Sequence, residues 1–128
     1  MKTTDLTYKY FTPEEFAKCI PACCIEDLEP LLLEILNEAR EKAGIPFVIR
    51  SAYRSVEYER SKGRTGYSSH CNGLAVDIKC NDSIDRLKIV RALLDTGFTR
   101  IGIYENFIHV DIDDTKPACM WYGANYNL

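Results

Sequence analysis

The chain holds only two histidines, and each stands near an aspartate in a stretch with strand-like alternation. The stretches are Ser68-Ser69-His70-Cys71-Asn72-Gly73-Leu74-Ala75-Val76-Asp77 and Phe107-Ile108-His109-Val110-Asp111. Two imidazole nitrogens and one carboxylate oxygen, from His70, Asp77 and His109, make a borderline-soft donor set that suits a divalent cation such as zinc. Three protein ligands with one position left for water are the pattern of a catalytic rather than a structural site. A solitary histidine among apolar residues is more often a buried, hydrogen-bonded side chain than a ligand. Asp77 shifts that balance, because a carboxylate inside an apolar strand is costly unless a cation or several donors compensate it.

The elements that must position these groups follow from periodicity. Leu74, Val76 and Ile78 alternate with Ala75, Asp77 and Lys79, which predicts a strand over 73–80 entered through a turn that returns His70 beside Asp77. Pro46 to Ala52 reads as a strand from its β-branched and aromatic content, and it delivers Tyr53 and Arg54 at its end. Arg100–Tyr104 and 107–113 are two strands around Glu105-Asn106, a spacing that suits a hairpin. Met120-Trp121-Tyr122 predicts a last edge strand. A helix starts at Thr12-Pro13-Glu14-Glu15 with a capping-box pattern and runs to about Lys18. Ile25 to Ala43 carries Ile25, Leu28, Leu32, Ile35, Leu36 and Ala39 at helical spacing, with Pro30 in its first turn or at a break, and Gly44 closing it. Residues 55–61 suit one or two helical turns. Asp82 or Ser83 caps a further helix with a predicted buried stripe of Ile84, Leu87, Val90, Leu93 and Leu94, ended by Gly97. The order predicts an α+β domain with a small, mainly antiparallel sheet backed by helices.

At 128 residues, 46% apolar and 27% charged, the chain is long enough for one core and too short for two. A single domain over 1–128 is expected, with an arm at 1–11 anchored by Tyr8, Tyr10 and Phe11 and a polar tail at 123–128. A net charge of −3 with no basic stripe argues against nucleic-acid binding. No apolar run of signal-peptide or membrane-spanning length appears, so the expectation is a monomer made in the cytoplasm, with no membrane insertion. Six cysteines, at 19, 23, 24, 71, 80 and 119, are expected to be free thiols, since no export signal accompanies them. Cys71 adjoins His70 but should point away if the imidazole reaches a metal.

Ser68-x-His70-x-x-Gly73-x-Ala75-x-Asp77, followed by an apolar strand containing His109, resembles the zinc-site pattern of the D-alanyl-D-alanine carboxypeptidase-like murein peptidases, which share their fold with the Hedgehog signalling domain. The resemblance runs from about Ile45 to Asp113. It implies a Hedgehog/DD-peptidase-like fold and a Zn2+ ion held by His70, Asp77 and His109. It further implies hydrolysis of peptide bonds in peptidoglycan stem peptides, of DD-carboxypeptidase or murein endopeptidase type. Arg54, within Ser51-Ala52-Tyr53-Arg54-Ser55, sits where the family keeps an arginine that contacts substrate, and Ser68 matches the motif serine. Tyr67, in the loop Lys62–Tyr67, could lie against a substrate. Some relatives are phage or prophage endolysins, which fits action at the cell wall after release or export.

Zinc lowers the pKa of its water to about 7 and polarises a carbonyl under attack, and the planar, permanently charged fork of Arg54 suits an oxyanion or a carboxylate. The proton acceptor is less evident. Many relatives place a carboxylate three residues before the second zinc histidine, where this chain has Asn106. Glu105, one residue earlier, is the first candidate for general base. Asp111 is the alternative, or else it orients the His109 ring. Two further readings stand beside the hydrolase. One is a zinc-stabilised cell-wall-binding or interaction module without activity, suggested by Asn106. The other is a non-haem iron site using His109-x-Asp111 and a distant histidine, which would leave Asp77 without a task.

Overall fold

The computed structural model describes residues 8–123. Residues 1–7 of the expected arm and 124–128 of the expected tail lie outside the described residues. The elements are α1 (Pro13–Ala17), a 3-10 turn (Ile25–Asp27), α2 (Pro30–Ala43), β1 (Ile49–Ser51), α3 (Val56–Ser61), a second 3-10 turn (Ser69–Asn72), β2 (Ala75–Lys79), α4 (Ser83–Asp95), β3 (Arg100–Ile103), β4 (Phe107–Asp111) and β5 (Cys119–Tyr122). The five strands form one sheet in the order β1-β2-β4-β3-β5. All pairs are antiparallel except β3–β5, which is parallel. This is the α+β, mainly antiparallel architecture that the sequence predicts.

Strand alternation divides the sheet into two chemically different faces. Val76 and Ile78 of β2, Ile108 and Val110 of β4, and Ile101 and Ile103 of β3 are buried on one face and join the core with Leu32, Leu33, Leu36, Ile89 and Leu93 from the helices. The opposite face carries the polar positions. The register aligns Ser51 with Asp77, Asp77 with His109, His109 with Gly102, and Gly102 with Trp121. One row of side-chain positions therefore crosses all five strands, and both strand-borne candidate ligands are neighbours in it.

The helix ends follow local chemistry. Pro13 occupies the first turn of α1, and the Glu15 side chain reaches back to the Thr12 amide at 3.4 Å. The helix predicted over 25–43 is broken at Leu28-Glu29. Pro30 cannot continue a preceding helix but fits the first position of a new one, so a 3-10 turn precedes α2. Gly44 closes α2 with φ of 70°, and Asp82 caps α4 by accepting from the Asp85 amide at 2.8 Å. Of the described residues before α1, Phe11 is buried and the Tyr10 amide donates to Asn37 Oδ1 at 3.0 Å. All six cysteines are free. No helix among the described residues is long and apolar enough to cross a membrane.

Two expectations need correction. The strand predicted from Pro46 is only three residues long, because its pairing with β2 is irregular between Ile49 and Ser51. The buried stripe of α4 is Ile89, Ala92 and Leu93, whereas Ile84, Leu87 and Leu94 are 71%, 62% and 50% exposed. Of the predicted stripe Leu93 is buried and Val90 packs against the core, while Ile89 and Ala92 complete the buried face of α4, which lies against α2.

This correction is measurable. Leu93→Ala should cost about 2–5 kcal/mol of unfolding free energy, since it opens a cavity in the core. Leu87→Ser should stay within about 0.5 kcal/mol. Equal losses in urea denaturation would restore the predicted stripe.

Candidate metal centre

His70 is presented by the 3-10 turn Ser69–Asn72, whose N-cap is Ser68, with its Oγ accepting from the His70 amide at 3.2 Å. Gly73 ends the turn at φ 71°, and a Cβ there would lie 2.3 Å from the Asp27 carbonyl oxygen. Only glycine lets the chain reverse against the 25–28 segment and bring His70 back over β2. The Arg54 amide donates to the His70 carbonyl at 3.3 Å. The turn that carries the first candidate ligand is thereby tied to the end of β1.

The ligand atoms of His70, Asp77 and His109 all lie within 4.8 Å of one another. His70 Nε2 and His109 Nδ1 are 3.2 Å apart, and each approaches Asp77 Oδ1, at 3.2 and 3.1 Å. Ring orientation is fixed from behind. His70 Nδ1 lies 2.7 Å from the Ala52 carbonyl, which can only accept, so the proton is on Nδ1 and Nε2 offers a lone pair. His109 Nε2 lies 2.7 Å from Asp111 Oδ2, so that proton faces Asp111 and Nδ1 points inward. Asp111 is itself held by Arg100 Nε at 2.8 Å and the Asp113 amide at 3.0 Å, both on Oδ1.

Three electron-pair donors thus converge, two of them in buried residues and His109 partly buried, with no hydrogen of their own between them. Such a cluster repels itself unless a cation sits in it. The electrostatics carry the same demand. Burial alone would raise the Asp77 carboxyl, yet the His109 and His70 imidazoles set against it outweigh burial and hold it well below the usual carboxylate range. Burial would lower His109, but its bonds to Asp111 and Asp77 raise it above an ordinary histidine. A proton on His109 or a dication among the three donors answers the same excess of negative potential. Two nitrogens and one oxygen fit zinc.

Above the ligands lies a cavity of about 370 Å³ lined by Arg54, Arg64, Ser68, His70, Asp77, Tyr104, Phe107, His109 and Trp121. Arg54 Nη1 is 3.3 Å from Ser51 Oγ and 3.6 Å from Asp77 Oδ2, and its Nε is 3.2 Å from Glu59 Oε1. Tyr104 stacks on Phe107 with centroids 4.3 Å apart and accepts from Trp121 Nε1 at 3.2 Å. The Trp121 ring lies 5.5 Å from that of His109. Gly102 permits this, since a Cβ there would meet the Trp121 indole at 2.6 Å.

Of the residues singled out by sequence, His70, Asp77, His109, Arg54 and Ser68 meet here, while Asp111 stands behind His109. Tyr67 and Glu105 do not join them. Tyr67 is 79% exposed and does not line the cavity. Glu105 is exposed in the turn between β3 and β4, with its backbone carbonyl accepting from Arg86 Nη2 at 3.2 Å. Strand alternation would have placed it on the His109 face, but β4 begins at Phe107 and the turn carries Glu105 outward. Cys71 is not among the clustered donors. The iron arrangement is not formed either: Asp111 binds the far nitrogen of His109, and Asp77 takes the place beside the two imidazoles. Sequence reasoning missed Glu59, Arg64, Tyr104 and Trp121. The only tryptophan of the chain, on an edge strand with polar neighbours to follow, was the available signal for the last.

The family model described as Peptidase M15 matches residues 9–111. The chain belongs to the M15 peptidases. That match covers every candidate ligand and Arg54, and stops before β5. Among solved structures, the M15 chain is similar to the crystal structure of the Serratia marcescens L-Ala D-Glu endopeptidase ChiX, with a TM-score of 0.59 and 16% identity over 87% of this chain and 93% of that one. No curated protein matches by sequence. The family is one of zinc peptidases of the DD-peptidase type, so the resemblance read from the motif holds.

Titrating zinc into metal-free protein should change the fluorescence of Trp121 with a one-to-one end point. Asp111→Asn should weaken zinc binding by roughly 10–100-fold, because His109 loses the partner that orients it. Zinc and a proton compete for His109, whose pKa is raised. Affinity should therefore fall as pH falls below that value, by roughly tenfold per unit. An affinity flat between about pH 8 and pH 5.5 would contradict the ligand assignment.

Proposed function

We propose that this M15 peptidase is zinc-dependent and hydrolyses peptide bonds in peptidoglycan stem peptides. The observation that carries the reading is the meeting of His70 Nε2, Asp77 Oδ1 and His109 Nδ1 beneath a cavity walled by Arg54. The ChiX endopeptidase is named for an L-Ala–D-Glu bond, and that bond is the first to test. A terminal D-alanyl bond, the DD-carboxypeptidase case, is the second.

His70, Asp77 and His109 would hold the ion, which when bound acts as a Lewis acid toward water and the scissile carbonyl. The remaining work falls to the chain. Ala52 and Asp111 keep both imidazoles aimed inward, so little reorganisation accompanies the reaction. Arg54 is planar, permanently charged and 17% exposed, which suits it to grip an oxyanion or a carboxylate at the cavity wall. Ser68 lines the same wall with a hydroxyl. Tyr104, Phe107 and Trp121 form an apolar wall that limits water around the bond.

For the proton on the attacking water we keep Glu105 and Asp111 as the two candidates. Asp111 is already bonded to His109 and Arg100, which favours an orienting task. Glu105 can serve only if the 104–106 turn brings it inward. Among the described residues no carboxylate other than Asp77 lines the cavity, and this favours a second reading, a zinc-stabilised module that binds cell-wall peptides without cutting them. The site of action that fits either reading is the cell wall, reached by release or export.

Incubation of the zinc-loaded protein with purified murein should release new peptides detectable by mass spectrometry, and His70→Ala should abolish release. Glu105→Ala should lower kcat by about 10²–10⁴-fold if it takes the proton. An unchanged rate would remove it from the mechanism. Binding of murein without any cleavage by the zinc form would establish the module instead.

A further inference from the structure

We propose that Cys19 and Cys23 form a redox-active dithiol, in which Cys23 attacks a small-molecule disulfide and Cys19 then closes an internal Cys19–Cys23 disulfide. The inference is independent of the metal assignment and of the peptidase reading.

Both cysteines lie in the bend between α1 and the first 3-10 turn. Four residues apart, they would stand about 13 Å from each other in an extended chain. Here the chain folds back on itself. The Cys19 and Cys23 amides donate to one acceptor, the Phe16 carbonyl, at 3.2 and 3.0 Å. The two thiols meet as well and share a hydrogen bond. That bond, with burial behind it, pushes the Cys19 thiol up. The same bond, helped by the Tyr53 amide, draws Cys23 below an ordinary thiol against the effect of burial. Cys19 therefore keeps its hydrogen, and Cys23 is the sulfur that becomes the nucleophile. Burial pushes the thiols of Cys71 and Cys80 up, which makes them poorer nucleophiles.

Access imposes the same order. Cys19 is buried in the core, whereas Cys23 is partly exposed. A reagent in solution reaches Cys23 first, and Cys19 can enter only from inside. Cys19 Sγ is held for that second step, 3.4 Å from the Glu15 carbonyl and 3.6 Å from the Ile49 carbonyl. The Ile20 amide donates to the Arg50 carbonyl at 3.0 Å, so the bend is docked on β1, an edge strand of the sheet. A dithiol fixed to a strand in this way holds its sulfurs together before any reagent arrives.

The exchange balances without a metal or a cofactor. The Cys23 thiolate attacks one sulfur of a disulfide RSSR, the S–S bond breaks and one thiolate leaves. The Cys19 sulfur then attacks Cys23 in the mixed disulfide, and the second thiolate leaves. The protons lost by Cys23 and Cys19 end on the two departing thiolates. Two protein thiols are oxidised to one disulfide, and RSSR is reduced to two RSH.

The test exposes the reduced full chain to oxidised glutathione, in a Cys24→Ser background where the tryptic peptide beginning at Cys19 holds only these two cysteines. Mass spectrometry should find that peptide short of two hydrogens, formed about tenfold faster or more in the folded protein than in urea. Cys19→Ala should arrest the reaction as a lasting glutathione adduct on Cys23, and Cys23→Ser should leave Cys19 unmodified. Closure as fast in urea as in the fold would overturn the proposal. So would a Cys23 that stays reduced while Cys71 or Cys119 is modified. If Cys19→Ala fails to fold, the time course of the Cys24→Ser protein decides. A transient adduct on Cys23 that gives way to the disulfide supports the dithiol, and an adduct that persists with Cys19 present refutes it.

Discussion

Everything at the centre of this molecule depends on lone pairs being turned toward one another. Left alone, two imidazoles and a carboxylate would rotate apart or share protons. Here each ring is pinned from its outer side, His70 by the Ala52 carbonyl and His109 by Asp111. Those outer partners are in turn fixed, Ala52 by its place at the end of β1 and Asp111 by Arg100 and the Asp113 amide. The interior of the site is electrostatically unfinished, and the scaffold around it is what keeps it so. Asp113 extends this scaffold. Burial alone would raise its carboxyl, but bonds from Ser69, Thr115 and Lys116 hold it well below the usual carboxylate range, so it stays charged beside the turn that carries His70.

The sheet performs a sorting task for this centre. Alternation sends Val76, Ile78, Ile108 and Val110 into the helical layer and leaves Asp77 and His109 on the other side. Because these two face each other across β2 and β4, their separation is set by strand pairing rather than by side-chain reach. His70 comes from a turn, and it needs the positive φ of Gly73 to arrive. Arg54 leaves β1 within reach of the same row. Two candidate ligands are placed by a ladder and one by a loop that hydrogen bonds tie to the end of β1.

Much of this was legible in the residues. The His70 to Asp77 spacing, Gly73 between them and the alternation around Asp77 were sufficient to expect a turn that returns His70 beside Asp77, because each is a local constraint. The α+β order and most helix boundaries followed from capping residues and prolines for the same reason. What the sequence did not disclose depended on distant pairing. Trp121 reaches the site only because β5 runs parallel beside β3, a choice no local signal specifies. Glu105 was misplaced because the turn register decides its direction, and part of the α4 stripe because the face a helix buries is set by its packing on distant elements. Glu59 was hidden for a further reason: a charged residue on a short helix reads as solvated until two arginines are seen to enclose it.

The row from Ser51 through Asp77, His109 and Gly102 to Trp121 has one more implication. The amides and carbonyls of paired strands point sideways, within the plane of the sheet, and on the three inner strands of the row, β2, β4 and β3, they are engaged by neighbours on both sides. A guest resting over these inner strands finds no free main-chain ladder to extend, so it is met there by side chains alone. The vocabulary of recognition is therefore written in exchangeable letters on an unaltered page, and a different guest could be accommodated by respelling a few of them without disturbing how the strands are woven.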